Sequence, residues 1–218
     1  MALAIFDLDN TLIGGDSDNL WGQFVVDQGL VDGADFERQN NQFYEDYQAG
    51  DLDILAYVRF ALGPLKGRPM DELARWHATF MREVIDPLML PKAAALIDRH
   101  RQAGDHLLVI TATNVFVTRP IVDALGIEDL LACDAEIVDG RYTGEPAGIP
   151  TYREGKVQRL QQWLAGRSIS LEGACFYSDS HNDLPLLELI DKPIAVDPDT
   201  KLRAVAEQRQ WPIISLRD

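Results

Sequence analysis

The stretch that most constrains this chain is Leu3-Ala4-Ile5-Phe6-Asp7-Leu8-Asp9-Asn10-Thr11, where an apolar run stops at two aspartates one residue apart. Leu3 to Phe6 is long enough for a buried strand and too short for a helix. Side chains alternate along a strand, so Asp7 and Asp9 point the same way if the extended backbone continues. Carboxylates at the carboxyl end of a parallel strand lie where open α/β sheets place their ligands. A solvated strand end also accommodates two acids, so the rest of the chain has to decide between a site and a surface.

With 218 residues, 46% of them apolar, the chain can bury the core of one domain carrying a sizeable insertion. No apolar stretch is long enough to span a bilayer, and the first residues lack a basic region and a cleavage site. That reads as a soluble, cytoplasmic protein with no membrane partner. Cys133 and Cys175 have no metal-binding or redox spacing and read as buried, inert thiols. The formal net charge of −15 argues against nucleic acid, because a phosphate backbone needs a basic face. A small phosphorylated metabolite remains compatible, since a cation and local amides can reverse the field inside a site. Composition leaves the oligomeric state open.

After Gly15 the character changes. From Asp16 to about Val84 the pattern is helical. Ser17 is placed to cap a helix carrying Leu20, Phe24 and Val25, and a second helix is predicted from Ala34 to Tyr47. A third runs from Asp53 to Leu62, and Pro69 suits the first turn of a fourth bearing Leu73, Trp76, Phe80 and Val84. Trp21, Phe36, Phe43, Tyr44, Tyr57, Phe60, Trp76 and Phe80 read as the core of that inserted bundle. Beyond Pro87, strands and helices alternate, the pattern of βαβ units and a parallel sheet. Predicted strands are His106–Thr111, Ala174–Ser178, Pro193–Val196 and Ile213–Leu216, with an Asp139-Gly140 hairpin between alternating residues. Helices are predicted at Pro91–Ala103, Phe116–Leu125, Lys156–Leu164, Leu184–Leu189 and Thr200–Arg209.

Three strand ends thus carry polar residues in chain order: Asp7-x-Asp9, Thr111, and Ser178-Asp179-Ser180-His181-Asn182-Asp183, with Gly155-Lys156-Val157 opening a helix before the last. The set resembles the haloacid dehalogenase-like (HAD) superfamily of aspartate-nucleophile phosphohydrolases and matches its four motifs in order, over essentially the whole chain. The resemblance implies an α/β fold. Its parts are a Rossmann-like parallel-sheet core (residues 1–15 and 85–218) and an inserted helical-bundle C1 cap (residues 16–84). It implies Asp7 as nucleophile, forming an aspartyl-phosphate, and Asp9 as general acid and then base. Thr111 would donate to a phosphoryl oxygen, Lys156 would balance negative charge, and the amides of Ala112, Thr113 and Asn114 would cradle the anion.

Charge requires a cation there. Two carboxylates about 4 Å apart repel by roughly 4 kcal/mol at an effective dielectric of ~20, and a phosphate adds to this. Mg²⁺ suits a site with few protein ligands and retained waters. The resemblance assigns it the side chains of Asp7 and Asp179, the backbone carbonyl of Asp9, and Asp183 through a bound water. His181 matches Mg²⁺ poorly and reads as a neighbour of the site or a surface residue.

Among the branches, the phosphoserine phosphatase group is the most similar. Its glycines after the motif-two hydroxyl are replaced by Ala112-Thr113-Asn114, and its cap glutamate by Asp16. Arg59 lies near the region of its carboxylate-binding arginine, with the register open. Asp16 and Asp18 either face a substrate cation or sit at a helix N-terminus aided by its dipole. Ile110 to Asn114 and Ala195 to Asp199 resemble a bacterial branch described as general phosphatases or histidinol-phosphatases. The expected substrate is therefore a phosphorylated amino alcohol, with L-histidinol phosphate ahead of O-phosphoserine and broad specificity as the alternative. A phosphorylatable receiver module would have no use for a cap, and a metal-free dehalogenase would not need Asp9, Asp179 and Asp183.

Overall fold

The computed structural model describes residues 2–217. Its strands are β1 (Leu3–Phe6), β2 (His106–Asn114), β3 (Asp129–Val138), β4 (Arg141–Ala147), β5 (Cys175–Ser178), β6 (Lys192–Val196) and β7 (Ile213–Ile214). They form one sheet in the order β4-β3-β2-β1-β5-β6-β7. Every neighbouring pair is parallel except the β3–β4 hairpin. β1 is central because all four of its residues are fully buried and apolar, which suits a strand covered on both faces. The chain leaves β1 towards β2 on one side and reaches β5 on the other. The carboxyl end of β1 is therefore where connections diverge, the crevice in which such sheets bind ligands.

The two faces follow from alternation. Ala4 and Phe6 pack into one apolar cluster with α5 (Pro91–Gln102) and α6 (Val115–Ala124). Leu3 and Ile5 pack into the other with α7 (Glu154–Leu164), α8 (Leu184–Leu187) and α9 (Thr200–Arg209). The insertion supplies α1 (Ser17–Asp27), α2 (Gly33–Ala49), α3 (Ile54–Leu62) and α4 (Met70–Phe80), which runs on through a wide turn over Met81–Ile85. Its two connections pair at the base through an Ile13–Met89 bridge, with the Gly14 amide donating to the Leu88 carbonyl at 2.8 Å. No helix among the described residues is long and apolar enough to cross a membrane.

Some expectations need correcting. β2 continues past Thr111 to Asn114, because after a register shift Asn114 pairs with Cys133. The parallel half of β3, which carries the apolar run Leu130 to Cys133, was not foreseen. The aromatic residues of the insertion do not form a single bundle core. Trp21, Phe24 and Phe80 pack with Phe116 of α6, Trp21 lying 5.2–5.4 Å from each. Phe36, Phe43, Tyr57 and Phe60 form a separate group between α2 and α3. α1 and α4 are thus part of the main core, and α2 and α3 form a roof.

Candidate active site

Asp7 continues the alternation of Leu3 and Ile5 and so falls on the face of the sheet that carries α7. Its carboxylate meets Lys156 there: Lys156 Nζ lies 2.8 Å from Asp7 Oδ1 and 2.7 Å from Asp183 Oδ1. Ser178 has the same parity as Phe176 on β5, and its hydroxyl donates to Asp183 Oδ2 at 2.7 Å. Lys156 is only 1% exposed, so this ammonium is enclosed between two carboxylates. Thr11, on the turn after β1, donates to Asp179 Oδ1 at 3.1 Å and makes a longer contact of 3.4 Å with Asp7 Oδ2. The same hydroxyl accepts from the Asp179 amide. One threonine therefore aligns the two carboxylates that face each other across β1 and β5.

Asp9 is held differently. The Ser17 amide, at the start of α1, donates to its Oδ1 at 2.6 Å, and Thr113 Oγ1 donates to Oδ2 at 2.8 Å. Thr111 Oγ1 reaches the same oxygen at 3.4 Å and accepts from the Thr113 amide. Thr111 is thus beside Asp9, three residues before the end of β2, and is the hydroxyl that the resemblance expects to donate to a phosphoryl oxygen.

Electrostatics follow from burial. Desolvation pushes the Asp7 carboxyl up to about 7 against the pull of Lys156, with Asp183 and Asp9 adding to the rise. Asp179 is raised by burial and by repulsion from Asp7 and Asp183. Burial works against the Lys156 ammonium, but Asp183 and Asp7 outweigh it and hold its pKa above the usual lysine range. Four carboxylates against one ammonium leave an excess of negative charge that the protein itself does not neutralise. Asp7 and Asp179 offer carboxylate oxygens on either side of Thr11, and no group of three acid, histidine or cysteine side chains placed to hold a metal ion occurs among the described residues. Such a donor set fits Mg²⁺, which keeps several waters and takes one or two carboxylates.

Over this floor lies a narrow crevice, walled by Asp7, Asp9, Thr111, Ala112 and Thr113 below and by residues of the insertion above. Phe43, Tyr44 and Tyr47 of α2 and Tyr57 of α3 form that roof, so Phe43, Tyr44 and Tyr57 serve the crevice and are not simply bundle core. Asp16 and Asp18 complete the wall. Asp16 is also the N-cap of α1, accepting from the Asp18 and Asn19 amides at 3.1 and 2.8 Å. That acid therefore caps α1 and lines the crevice at once. Burial and Asp9 raise Asp16 to about 7, and burial and Asp16 push Asp18 well above the carboxylate range. Asn114 donates to Asp18 Oδ1 at 3.3 Å and caps α6 with its own oxygen. Among the described residues, no lysine or arginine lines this crevice.

The sequence profile of the haloacid dehalogenase-like hydrolases matches residues 4–188. The chain belongs to that family. It is 47% identical, over 99% of both chains, to a histidinol-phosphatase from Neisseria meningitidis serogroup C. A probable phosphatase from Mycobacterium tuberculosis is 32% identical over 97% of this chain and 74% of its own length. A Bordetella pertussis protein of unknown function has a structure that superposes with a TM-score of 0.92 at 45% identity, covering 99% of this chain and 98% of the other. A phosphoserine phosphatase solved as a phospho-aspartyl intermediate analogue superposes at 0.71 with 18% identity, covering 99% and 93%, which establishes the shared fold. This HAD hydrolase is a phosphatase, which removes the receiver and dehalogenase alternatives.

Of the residues singled out from sequence, Asp7, Asp9, Thr111, Lys156, Asp179 and Asp183 converge at the carboxyl ends of β1, β2 and β5. Arg59 does not join them. Its guanidinium pairs with Glu145 at 2.8 Å, half exposed, outside the crevice. His181 turns its Nδ1 to Asp199 at 2.8 Å. Thr11, Ser178 and Tyr47 were missed as site residues, and Thr113, expected to offer its amide, also holds Asp9 through its hydroxyl. Only Thr11 and Ser178 had a readable signal, being hydroxyls inside the first and fourth motifs.

Proposed function

We propose that this HAD hydrolase is a Mg²⁺-dependent phosphomonoesterase that works through an aspartyl-phosphate at Asp7 on a small phosphorylated amino alcohol, L-histidinol phosphate in particular. Asp7 attacks phosphorus in line; the P–O ester bond breaks, and Asp9 gives its proton to the departing alkoxide. Asp9 then takes a proton from the water that opens the acyl phosphate, releasing inorganic phosphate and restoring Asp7. Lys156 holds one oxygen of Asp7 and leaves Oδ2 with a single long contact. Mg²⁺ would be held by Asp7 and Asp179 and by the Asp9 carbonyl, and supplies positive charge to the phosphoryl oxygens. Asp183 is engaged by Lys156 and Ser178, so its part is to position the lysine and, through water, to support the metal.

The observation that carries the substrate reading is the wall of the crevice. Asp16 and Asp18 face it with no cationic side chain opposite, and a substrate ammonium or imidazolium meets that need. Phosphoserine also brings a carboxylate, for which Arg59 is not in place. The 47% identity to a histidinol-phosphatase points the same way. The test compares kcat/KM for L-histidinol phosphate, O-phosphoserine and p-nitrophenyl phosphate with Mg²⁺, in the parent and in Asp18→Asn. Histidinol phosphate should be preferred, and Asp18→Asn should erode that preference by about tenfold. A strong preference for phosphoserine, or a preference untouched in Asp18→Asn, overturns the reading.

A further inference from the structure

The end of α2 is closed by its own Gly50 cap, whose amide donates to the Asp46 and Tyr47 carbonyls, and is gripped in addition by side chains from outside the insertion. The helix carries no basic residue in its own last turn. Asn182 Nδ2 donates to the Tyr47 carbonyl at 2.9 Å, Lys201 Nζ to the Ala49 carbonyl at 2.7 Å, and Arg153 Nη2 to the Gly50 carbonyl. Two of these donors are cations placed at the negative end of a helix dipole. Asn182 is itself fixed, because its Oδ1 accepts from Tyr152 Oη at 3.1 Å and from Arg153 Nε at 3.2 Å. The grip depends on Gly50: it has φ of +85°, and a Cβ there would lie 2.7 Å from Arg153 Nη2 and 2.9 Å from His181 Nε2. Arg153 adopts a left-handed φ of 49° at the start of α7 to reach this point. The last two turns of α2 before the grip carry Phe43, Tyr44 and Tyr47, the roof of the crevice. Tyr47 Oη also donates to Ser180 Oγ at 3.3 Å, in the loop between Asp179 and Asp183.

We propose that Arg153 and Lys201 are positioning residues: they latch the C-terminal end of α2 to the catalytic domain and so hold the tyrosine roof over Asp7. The proposal rests on the phosphatase reading only for its kinetic consequence. Weakening the latch lowers the fraction of molecules with the roof in place. KM then rises by the same factor, while kcat, set in the roofed complex, changes less. Arg153→Ala is the primary variant, and alanine at this left-handed φ is no better suited than arginine, so local strain stays comparable.

The experiment measures hydrogen exchange of the peptide spanning residues 44–51, together with kcat and KM for p-nitrophenyl phosphate with Mg²⁺, in the parent, Arg153→Ala, Arg153→Lys and Lys201→Ala. Loss of one charge-assisted hydrogen bond should speed exchange in that peptide by about tenfold, and KM should rise by more than about twofold as the roofed fraction falls. Exchange in β1 and β5 should stay unchanged, with Arg153→Lys intermediate. The latch is refuted if exchange at 44–51 stays within about twofold of the parent, or rises equally in β1 and β5, which marks general loosening. A KM that stays within about twofold despite faster exchange refutes the positioning role. If the parent lacks phosphatase activity yet the exchange pattern appears, the functional reading falls and the latch stands.

Discussion

Asp7 and Lys156 show how the chemistry conflicts with stability within one contact. Burial holds the Asp7 carboxyl near 7, so its ionised, nucleophilic form is the costly one for the folded protein. Asp7→Asn should cut turnover by roughly 10³-fold or more while leaving the urea midpoint at pH 8 equal to or above that of the parent. Removing the ammonium has the opposite effect. Lys156→Ala leaves Asp7 and Asp183 buried without a partner and should cost about 3–5 kcal/mol in urea unfolding. Asp16 gives a pH signature. Its folded pKa of about 7 exceeds its usual 3.8, so the native state binds that proton more tightly than the unfolded chain. Stability from this group is therefore present below about pH 4 and is lost as pH rises to 7. Asparagine still caps a helix, so Asp16→Asn should melt like the parent at pH 4 and roughly 3 °C higher at pH 8. Equal melting temperatures at both pH values would remove the carboxylate from that balance.

At the scale of elements, parity along single strands does most of the positioning. Leu3, Ile5 and Asp7 share one face of β1, and Phe176 and Ser178 share the same face of β5, so Asp7, the proposed nucleophile, and Ser178 meet α7 without any irregular backbone. The helices of the insertion divide differently. Trp21 on α1 is 1% exposed and packs on Phe116 of α6, so the first inserted helix is held by the main core. Trp21→Ala should cost about 3–5 kcal/mol, and thermal unfolding should remain one transition because the insertion has no core of its own to melt separately. Two resolved transitions would contradict the shared core. Sequence periodicity located all four inserted helices but not this division. A helical stripe reports that a face is buried, and Phe43, Tyr44 and Tyr57 have the same spacing whether they face a partner helix or a crevice.

For the molecule as a whole, the proposed Mg²⁺ site exists only where folding brings Asp7, Asp9, Asp179 and Asp183 together, so the proposal requires Mg²⁺ to bind the folded state better than the unfolded chain. At about 100 times its dissociation constant, Mg²⁺ should add ~2.7 kcal/mol, or roughly 5–10 °C in Tm for a chain of this size. Chelation should reverse the shift, and Asp179→Ala should abolish most of it. What the sequence by itself determined was the α/β class, the run of helices between β1 and β2, and the polar residues that interrupt the strand and helix pattern at Asp7, Asp9, Thr111, Lys156, Asp179 and Asp183. These follow from local quantities: apolar periodicity, turn residues and the spacing of Asp7 from Asp9. Tertiary structure alone decided that Thr113 and not only Thr111 holds Asp9, and that Asp16 both caps α1 and walls the crevice. It alone decided that Arg59 is spent on Glu145 and that Arg153 and Lys201 grip α2. Long side chains reach partners 86 to 152 residues away in the chain. No local pattern encodes where such a side chain ends, because its rotamer is chosen by whatever polar group the packed neighbours leave within reach.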